Sequence, residues 1–352
     1  MRVLHLPTVV GGMAWGLAQG EKKLGLDSKV LVSTHPPFHY PYDVCLGWER
    51  KGPLGVFLSS MRAFLKYRSQ FDVFHFNYGS TFIDFRNYGI QHWDLSFYPK
   101  VKKVFTYNGC DARQKFRTME RTEVAACKEE GCYGGLCDSG KKDRIREKRI
   151  RIVTKHAHHI FAVNPDLLHF LPNSISSFLP YCIAYWDEIS EVPYRVGREI
   201  KVVHSPTDRV AKGSRYILSA LEKLKARHNI QILLVENRPH QEALEIYKQA
   251  DLVIDQVLTG WYGSFAVEAM KMGKPVAVFI REEDLQFIPR EMVKDLKEAL
   301  IRMTPDTIET VLQDYLENPG LLHLKSEAGR AYVHRWHDPV YIAGKTKAVY
   351  ES

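Results

Sequence analysis

The chain of 352 residues has no apolar run of the ~18 to 20 residues that spanning a bilayer requires. Its N-terminal apolar run, residues 2–7, is too short and too interrupted for a signal peptide. Six cysteines are too few for a secreted disulfide scaffold, and the 23 glycines and 17 prolines follow no collagen-like or low-complexity pattern. We therefore predict a cytoplasmic globular protein.

The composition that is present is typical of a folded chain, with 45% hydrophobic and 26% charged residues. At about 150 residues per domain, the length suggests two domains. The excess of 49 Lys and Arg over 41 Asp and Glu gives a net charge of +8, which favours anionic partners such as nucleotides, phosphates or acidic lipid. No zinc finger, RNA-recognition motif or aromatic-basic platform points to nucleic acid.

Short apolar segments alternate with helical segments in both halves of the chain. The first half begins with a strand, a Gly-Gly turn and a helix, and the same alternation restarts at Ile200. This pattern predicts an α/β fold of two Rossmann-like, doubly wound domains. We predict an N-terminal domain at 1–190, a C-terminal domain at 198–335 and a final helical segment at 336–352.

The segment that begins at Asp255 carries the strongest motif. A strand ends there, a loop with Gly260 and Gly263 follows, and the next helix begins near Gly263. The first N–H groups of a helix and the positive end of its dipole bind phosphate. Glu268, further along that helix, is placed to accept hydrogen bonds from ribose hydroxyls. The alternative is a turn shaped by two glycines, with Glu268 in solvent.

A second motif lies at Arg209 and Lys212-Gly213, between a strand and a helix of the same half. Open α/β sheets bind ligands at the carboxyl edge of their strands, where these cations are expected. Arginine as a fork and lysine as a point charge suit a diphosphate. The alternative is two surface charges beside a helix start.

Together, the two motifs resemble the C-terminal domain of the family-four retaining glycosyltransferases, which have the GT-B fold. The matching residues are Lys212-Gly213, Gly263, Glu268-Ala269-Met270 and Gly273-Lys274-Pro275-Val276. The resemblance implies two Rossmann-like domains that face each other across a cleft, with the final helices packed on the N-terminal domain.

The resemblance also implies roles for these residues. Lys212 would stabilise the donor diphosphate, with Arg209 as a candidate second cation, and Glu268 would hold the ribose. The loop residues Gly263, Ser264 and Phe265 would line the phosphate site.

In the N-terminal half, Gly11-Gly12 resembles the family's glycine loop, which approaches the donor phosphates. The segment at 105–113 resembles the family's His-Gly-Ser-Asp-x-Arg, so that Asn108 and Asp111 would line the sugar side. As a lone pair, Gly11 and Gly12 are also compatible with a simple tight turn.

The chain departs from the family at three positions. Gly260 stands where the family has a sugar-contacting glutamate, and Asp255 is a candidate to replace that contact. Thr207 stands where the family has an arginine, and Arg209 is a candidate replacement. Asn108 takes the place of the histidine; asparagine cannot take a proton but can hydrogen-bond a sugar hydroxyl.

The resemblance implies a retaining hexosyltransferase that moves a sugar from a nucleotide diphosphate sugar to a hydroxyl of a glycan or lipid-linked acceptor. Lysine and helix N–H groups stabilise the departing charge, so the reaction requires no cofactor. The rival is a non-catalytic nucleotide-sugar-binding protein, which Gly260 and Asn108 would permit. A dinucleotide oxidoreductase is disfavoured because no Gly-x-Gly-x-x-Gly follows the first strand.

Two further segments leave alternatives open. Cys127, Cys132 and Cys137 are separated by two four-residue gaps, and with Cys110 they are compatible with a structural zinc site, free thiols or a redox disulfide. The segment 141–155 holds eight Lys or Arg residues. It is compatible with a solvated basic helix or with peripheral docking onto anionic lipid headgroups.

Overall fold

The computed structural model describes residues 1–85, 89–195 and 197–352. The chain divides into two compact units. The first comprises Met1–Gln114, Lys141–Trp186 and Asp338–Ser352, and the second comprises Lys115–Gly140 and Asp187–His337.

The elements follow one another along both units in regular alternation. In the described residues the strands are β1 (Arg2–Leu6), β2 (Asp27–Val32), β3 (Val44–Cys45), β4 (Val73–Asn77), β5 (Lys102–Tyr107), β6 (His159–Ala162), β7 (Ser176–Phe178), β8 (Ile200–His204), β9 (Ile230–Leu234), β10 (Leu252–Ile254), β11 (Val276–Val278) and β12 (Leu300–Arg302). The helices are α1 (Met13–Lys23), α2 (Pro53–Tyr67), α3 (Lys115–Arg121), α4 (Lys141–Thr154), α5 (Arg209–Lys212), α6 (Ser214–Lys225), α7 (His240–Tyr247), α8 (Ser264–Lys271), α9 (Arg290–Ala299), α10 (Ile308–Glu317), α11 (Pro319–Trp336) and α12 (Pro339–Glu351). Among the described helices, none combines the length and the apolar character that crossing a membrane demands.

The first unit is built on a parallel seven-stranded sheet in the order β3-β2-β1-β4-β5-β6-β7. Strand β4 is buried along its whole length, as expected for a parallel sheet covered on both faces. The strand order reverses beside β1, so the loop after β1 lies at the topological switch point, where open sheets bind ligands. This loop contains Gly11 and Gly12.

Both glycines have left-handed backbone angles, with φ of 57° and 72°. A Cβ on Gly12 would lie 2.6 Å from the Cβ of Ala184. The conformation and the close approach therefore both require glycine at this position.

The second unit has a parallel five-stranded sheet in the order β12-β11-β10-β8-β9. Its core contains buried aliphatic side chains from the strands and from α6, such as Val202, Ile217, Leu221 and Ile254. Strand order reverses between the neighbouring strands β8 and β10, so the loops that follow these two strands lie side by side. The predicted class, two Rossmann-like doubly wound domains, is confirmed.

One internal segment of the first half of the chain, Lys115–Gly140, groups with the second unit. The Ala126 N–H donates to the Leu258 carbonyl at 3.2 Å, and Ala126 packs in the core of that unit. Arg281 also reaches this segment, because its Nη2 donates to the Val124 carbonyl at 2.7 Å.

The C-terminal helix α12 belongs to the first unit and packs against α1. Gly20 of α1 has no room for a side chain, since a Cβ there would lie 2.1 Å from the Pro339 carbonyl oxygen. At the other end of α12, Tyr350 donates to Glu21 Oε1 at 2.8 Å inside the core. His75 Nδ1 lies 2.6 Å from the same Tyr350 hydroxyl, so helix and sheet share one buried polar network.

Candidate functional site

The candidate site of the second unit lies at the carboxyl ends of β8 and β10. His204 ends β8 and pairs in register with Ile254, which ends β10. Its imidazole is buried and joins the Ile254 carbonyl to the Ser214 hydroxyl, each at 2.8 Å. Burial lowers the pKa of His204 to about 4, so the imidazole is neutral and fixes the start of α6 to the sheet.

The loop after β8 is shaped by a short capped helix. Asp208 accepts a hydrogen bond from the Ala211 N–H at 2.7 Å, which caps α5. Gly213 then turns the chain with φ of 74°, and a Cβ there would lie 2.6 Å from Val257 Cγ2. The close packing of this turn on the loop after β10 brings the end of α5 next to that loop.

Lys212 and the N-terminal end of α8 both donate hydrogen bonds to one carboxylate. Lys212 Nζ donates to Asp255 Oδ1 at 2.5 Å, and the Gly263 N–H donates to Asp255 Oδ2 at 2.6 Å. The Asp255 carboxylate is fully buried, whereas the Lys212 side chain is 17% exposed. The structure thus brings together the two groups that the sequence predicts to bind phosphate, and the anion between them is a carboxylate of the chain itself.

Glu268 is buried in α8 and is not in solvent. Its Oε1 lies 2.8 Å from His240 Nε2 at the start of α7. Burial and the charges of Glu268 and Asp255 raise the pKa of Tyr247. Phe265 packs on Tyr247 with 4.5 Å between ring centroids, and Ser264 is the first residue of α8.

Arg209 pairs with Glu236 rather than with Asp255. Its guanidinium forms a bidentate pair with Glu236, with Nε to Oε1 at 2.7 Å and Nη2 to Oε2 at 2.5 Å. Its side chain is 56% exposed. Arg209 therefore lies at the rim of the predicted site with its fork already occupied.

The Arg281 side chain fills the space beside Gly260, the position at which the family pattern has a glutamate. The backbone of Gly260 is left-handed, and a Cβ there would lie 2.5 Å from Arg281 Nη1. Arg281 is buried and pairs with Asp284 at 3.1 Å. A larger residue at this position would have to displace a buried ion pair.

In the first unit, Asp111 organises its own loop. Its carboxylate accepts the Asn108 N–H at 3.0 Å and the Gly109 N–H at 2.6 Å, and burial raises its pKa. The Asn108 Oδ1 atom is buried and has no hydrogen-bond partner among the described residues. Arg113 in the same loop pairs with Asp166 at 2.6 Å.

The zinc site on the four cysteines stays a prediction. Within the described residues, three or more potential ligand atoms come within 4.8 Å of one another at His5–Glu21–His75 and at His35–Cys45–Glu49, and neither group includes Cys110, Cys127, Cys132 or Cys137. In the segment that carries the last three cysteines, Lys115 pairs with Asp138 at 2.5 Å. Cys110 lies in the Asp111 loop of the other unit.

Helix α4 carries the basic segment. Two of its cations are held within the unit, because Arg149 pairs with Asp84 at 2.7 Å and Arg146 with Asp143 at 3.0 Å. Ile150 and Val153 face the core. The other basic side chains of the helix form an exposed stripe: Lys141, Lys142, Arg144, Lys148 and Arg151.

Sequence reasoning did not identify His240 or Arg281. His240 follows β9, the neighbour of β8, so its position at the same carboxyl edge was a signal that could have found it. No comparable sequence signal exists for Arg281, because its contact with Gly260 arises only from the tertiary structure.

No protein-family model and no curated protein matches the chain. Among the solved structures that resemble it over nearly its whole length are the following three. The sucrose-phosphate synthase of Thermosynechococcus elongatus is 14% identical with a TM-score of 0.59, and the similarity covers 100% of this chain and 98% of that one. An alpha-glucosyltransferase in complex with UDP and a 13-mer DNA containing an HMU base is 11% identical with a TM-score of 0.60 and the same coverage. A putative UDP-N-acetylglucosamine 2-epimerase from Listeria monocytogenes is 11% identical with a TM-score of 0.55, covering 99% of this chain and 95% of that one. At these identities the similarity shows the fold, and the chain has the GT-B fold.

Proposed function

We propose that the protein is a retaining glycosyltransferase that transfers a hexosyl group from a nucleoside diphosphate sugar to a hydroxyl acceptor. The observation that supports this most is the meeting of the Lys212 ammonium and the Gly263 N–H at one anion position. An ammonium and the amide end of a helix are the groups that stabilise a departing diphosphate.

In the proposed reaction, the acceptor hydroxyl forms a bond to the anomeric carbon on the face from which the diphosphate departs. The bond from that carbon to the phosphate oxygen breaks, and the hydroxyl proton passes to the departing phosphate. Lys212 and the first amides of α8 stabilise the negative charge as it develops on the diphosphate. The proposal assigns the chemistry to these groups and includes no cofactor.

Glu268 is proposed to hold the ribose. His240 engages Oε1, so Oε2 remains to accept from a ribose hydroxyl. Gly263, Ser264 and Phe265 are proposed to line the phosphates, and Arg209 to contribute only if it leaves Glu236.

In the first unit, we propose Gly11 and Gly12 for close backbone approach to the donor phosphates. Asn108 is proposed for the sugar, because its buried Oδ1 is an acceptor without a partner among the described residues. An acceptor left unsatisfied inside a protein is costly, and a sugar hydroxyl would satisfy it. Asp111 supports that loop through two backbone amides.

A glycan or lipid-linked acceptor and a cytoplasmic location remain predictions, as does peripheral contact of α4 with an anionic membrane surface. The rival function remains a non-catalytic nucleotide-sugar-binding protein with the same pocket.

The test is a turnover assay with uridine, guanosine and adenosine diphosphate sugars and a panel of glycan and lipid acceptors. We expect transfer from one donor class, with a product whose anomeric configuration, read by NMR, matches the donor. Inversion of that configuration would refute the retaining mechanism. Nucleotide binding without transfer or donor hydrolysis would favour the binding protein, and absence of both would refute the site.

A further inference from the structure

Helix α2 (Pro53–Tyr67) presents an apolar stripe to solvent. Its inner face buries Ser60, Ala63 and Phe64. On the outer face lie Leu54, Leu58 and Leu65, whose side chains are exposed. At 3.6 residues per turn, these three positions fall within about 40° of one another around the helix axis. A helix of a globular protein normally turns its apolar stripe inward, so this outward stripe calls for a partner.

A pair of exposed aromatic residues lies near the C-terminal end of α2. Trp93 and Phe97 lie at the two ends of a single 3-10 turn, with 5.9 Å between ring centroids. Arg68, at the end of α2, donates to the Phe97 carbonyl at 3.4 Å. The pair is therefore next to the end of α2 in the same unit.

We define the docking face as Leu54, Leu58, Leu65, Trp93 and Phe97, which are between 44% and 71% exposed. Soluble proteins rarely expose a contiguous group of large apolar side chains unless it is an interaction site.

The docking face is bordered by positive charge. Residues 51–70 contain Lys51, Arg62, Lys66 and Arg68 and no Asp or Glu. We call the turn from Trp93 to Phe97 the aromatic turn. Its acidic residue, Asp94, is buried and accepts a hydrogen bond from the Thr81 hydroxyl at 2.6 Å. The acidic group nearest in sequence to the aromatic pair thus points inward, and the rim of the face is cationic.

A basic pocket of about 640 Å³ opens beside the aromatic turn. Leu95 and Ser96 of that turn form part of its wall. We call this cavity the lysine pocket. The basic residues that line it are Lys100, Lys102, Lys103, His156 and His158.

The charge of the lysine pocket is poorly compensated. Asp72 is the one acidic residue among those that line it, and its carboxylate already accepts from the Arg2 N–H at 2.8 Å and the Arg2 guanidinium at 3.1 Å. Burial lowers the pKa of both His156 and His158, and the positive charge of Lys103 lowers each further. The pocket therefore favours an anion.

We propose that the docking face binds the surface of an anionic phospholipid bilayer, with its five apolar side chains among the upper acyl chains and the lysine pocket on a headgroup phosphate. Apolar side chains next to a cationic rim are the composition of interfacial helices, and tryptophan is enriched at the membrane interface. A second copy of the chain would set Lys51, Arg62 and Lys66 against the same cations. Nucleic acid would satisfy the cations and leave the aliphatic stripe exposed. An anionic bilayer satisfies both features.

This surface lies in the first unit, and the inference does not depend on the proposed sugar transfer. If both hold, the acceptor is reached at a membrane. Vesicle binding and nucleotide binding are separate measurements, so either proposal can fail alone.

The experiment is flotation of the full chain with vesicles of phosphatidylcholine alone or of equimolar phosphatidylglycerol and phosphatidylcholine. We expect binding to the anionic vesicles that weakens with salt. Leu58→Ser combined with Leu65→Ser should reduce the binding at least tenfold with an unchanged melting temperature, because both side chains are exposed. Lys100→Gln combined with Lys102→Gln should reduce it on the order of 30-fold, the value for two interfacial cations.

The matched control is Lys148→Gln combined with Arg151→Gln, which removes the same charge from α4, where no large apolar side chain is exposed. We expect it to weaken binding less than the pocket variant does. Trp93→Phe should abolish a vesicle-induced blue shift of tryptophan fluorescence. The proposal is overturned if anionic vesicles are not bound, if only the α4 variant loses binding, or if the leucine variant instead dissociates a dimer.

Discussion

Replacing Asp255 by asparagine tests whether a carboxylate of the chain occupies the phosphate position. The carboxylate is fully buried and engages Lys212 Nζ at 2.5 Å and the Gly263 N–H at 2.6 Å. Asparagine keeps the size and one acceptor oxygen but removes the charge. The perturbation is therefore electrostatic, with little change in packing.

Two opposite effects are expected. Hydrogen bonds to charged groups contribute about 1.5–3 kcal/mol each, and Lys212 can regain some solvation, so the free Asp255→Asn protein should lose about 2 to 3 kcal/mol of unfolding free energy. In the complex, the wild-type carboxylate repels a diphosphate. Two like charges ~4 Å apart repel by about 4 kcal/mol at an effective dielectric constant of 20. Even after the loss of Lys212 orientation, we expect nucleoside diphosphate to bind about tenfold more tightly to Asp255→Asn.

The assay is urea unfolding of the free protein together with titration calorimetry of the nucleoside diphosphate. The matched control is Asp251→Asn. Asp251 directly precedes β10, whereas Asp255 directly follows it, and its carboxylate accepts the Lys201 N–H at 2.8 Å. The control should lose stability without a change in nucleotide affinity. Weaker binding to Asp255→Asn would refute the reasoning and make Asp255 a residue that orients Lys212 for the ligand.

Three further predictions concern stability. Gly260→Ala should cost about 1 to 3 kcal/mol in urea unfolding, because its φ is 81° and a Cβ would lie 2.5 Å from Arg281 Nη1. The control Gly320→Ala should not destabilise the protein, because no described atom lies within 4 Å of a Cβ there. Equal losses of stability in the two variants would contradict this prediction. His204 has its folded pKa lowered to about 4 from 6.5, so the unfolded chain takes up the proton first and the stability of the wild type falls as pH drops through this range. His204→Asn should lack about 3 to 4 kcal/mol of that fall, at 1.36 kcal/mol per unit of pKa, and parallel pH profiles of unfolding would be the contrary result. Tyr350→Phe should cost about 1 to 3 kcal/mol, since Glu21 and His75 each lose a buried partner, and a neutral effect in thermal unfolding would show that α12 does not depend on this network.

The fold could be predicted from the sequence because the signals that mark its strands and helices are local. Strands such as β8 and β10 are short apolar runs between polar turns, and α6 has a single apolar stripe. The meeting of Lys212 with Gly263 was also predictable, since each follows one of two strands that are neighbours in a doubly wound sheet.

The partners of the site residues could not be predicted in the same way. Arg281 contacts Gly260 and also Val124, which is 157 residues away along the chain. No sequence spacing encodes such a contact. The grouping of Lys115–Gly140 with the second unit depends on the same kind of long-range contact. Cysteine spacing alone was compatible with zinc, and the zinc site stays a prediction.

The central claim is that Lys212, the start of α8 and Glu268 form a nucleoside diphosphate site. Titration calorimetry of the matching nucleoside diphosphate against wild type, Lys212→Ala and Glu268→Ala tests it most directly, with the exposed Lys223→Ala of α6 as control. We predict a loss of affinity of at least tenfold, or about 1.4 kcal/mol, in each site variant and none in the control. Wild-type affinity in both Lys212→Ala and Glu268→Ala would contradict the account.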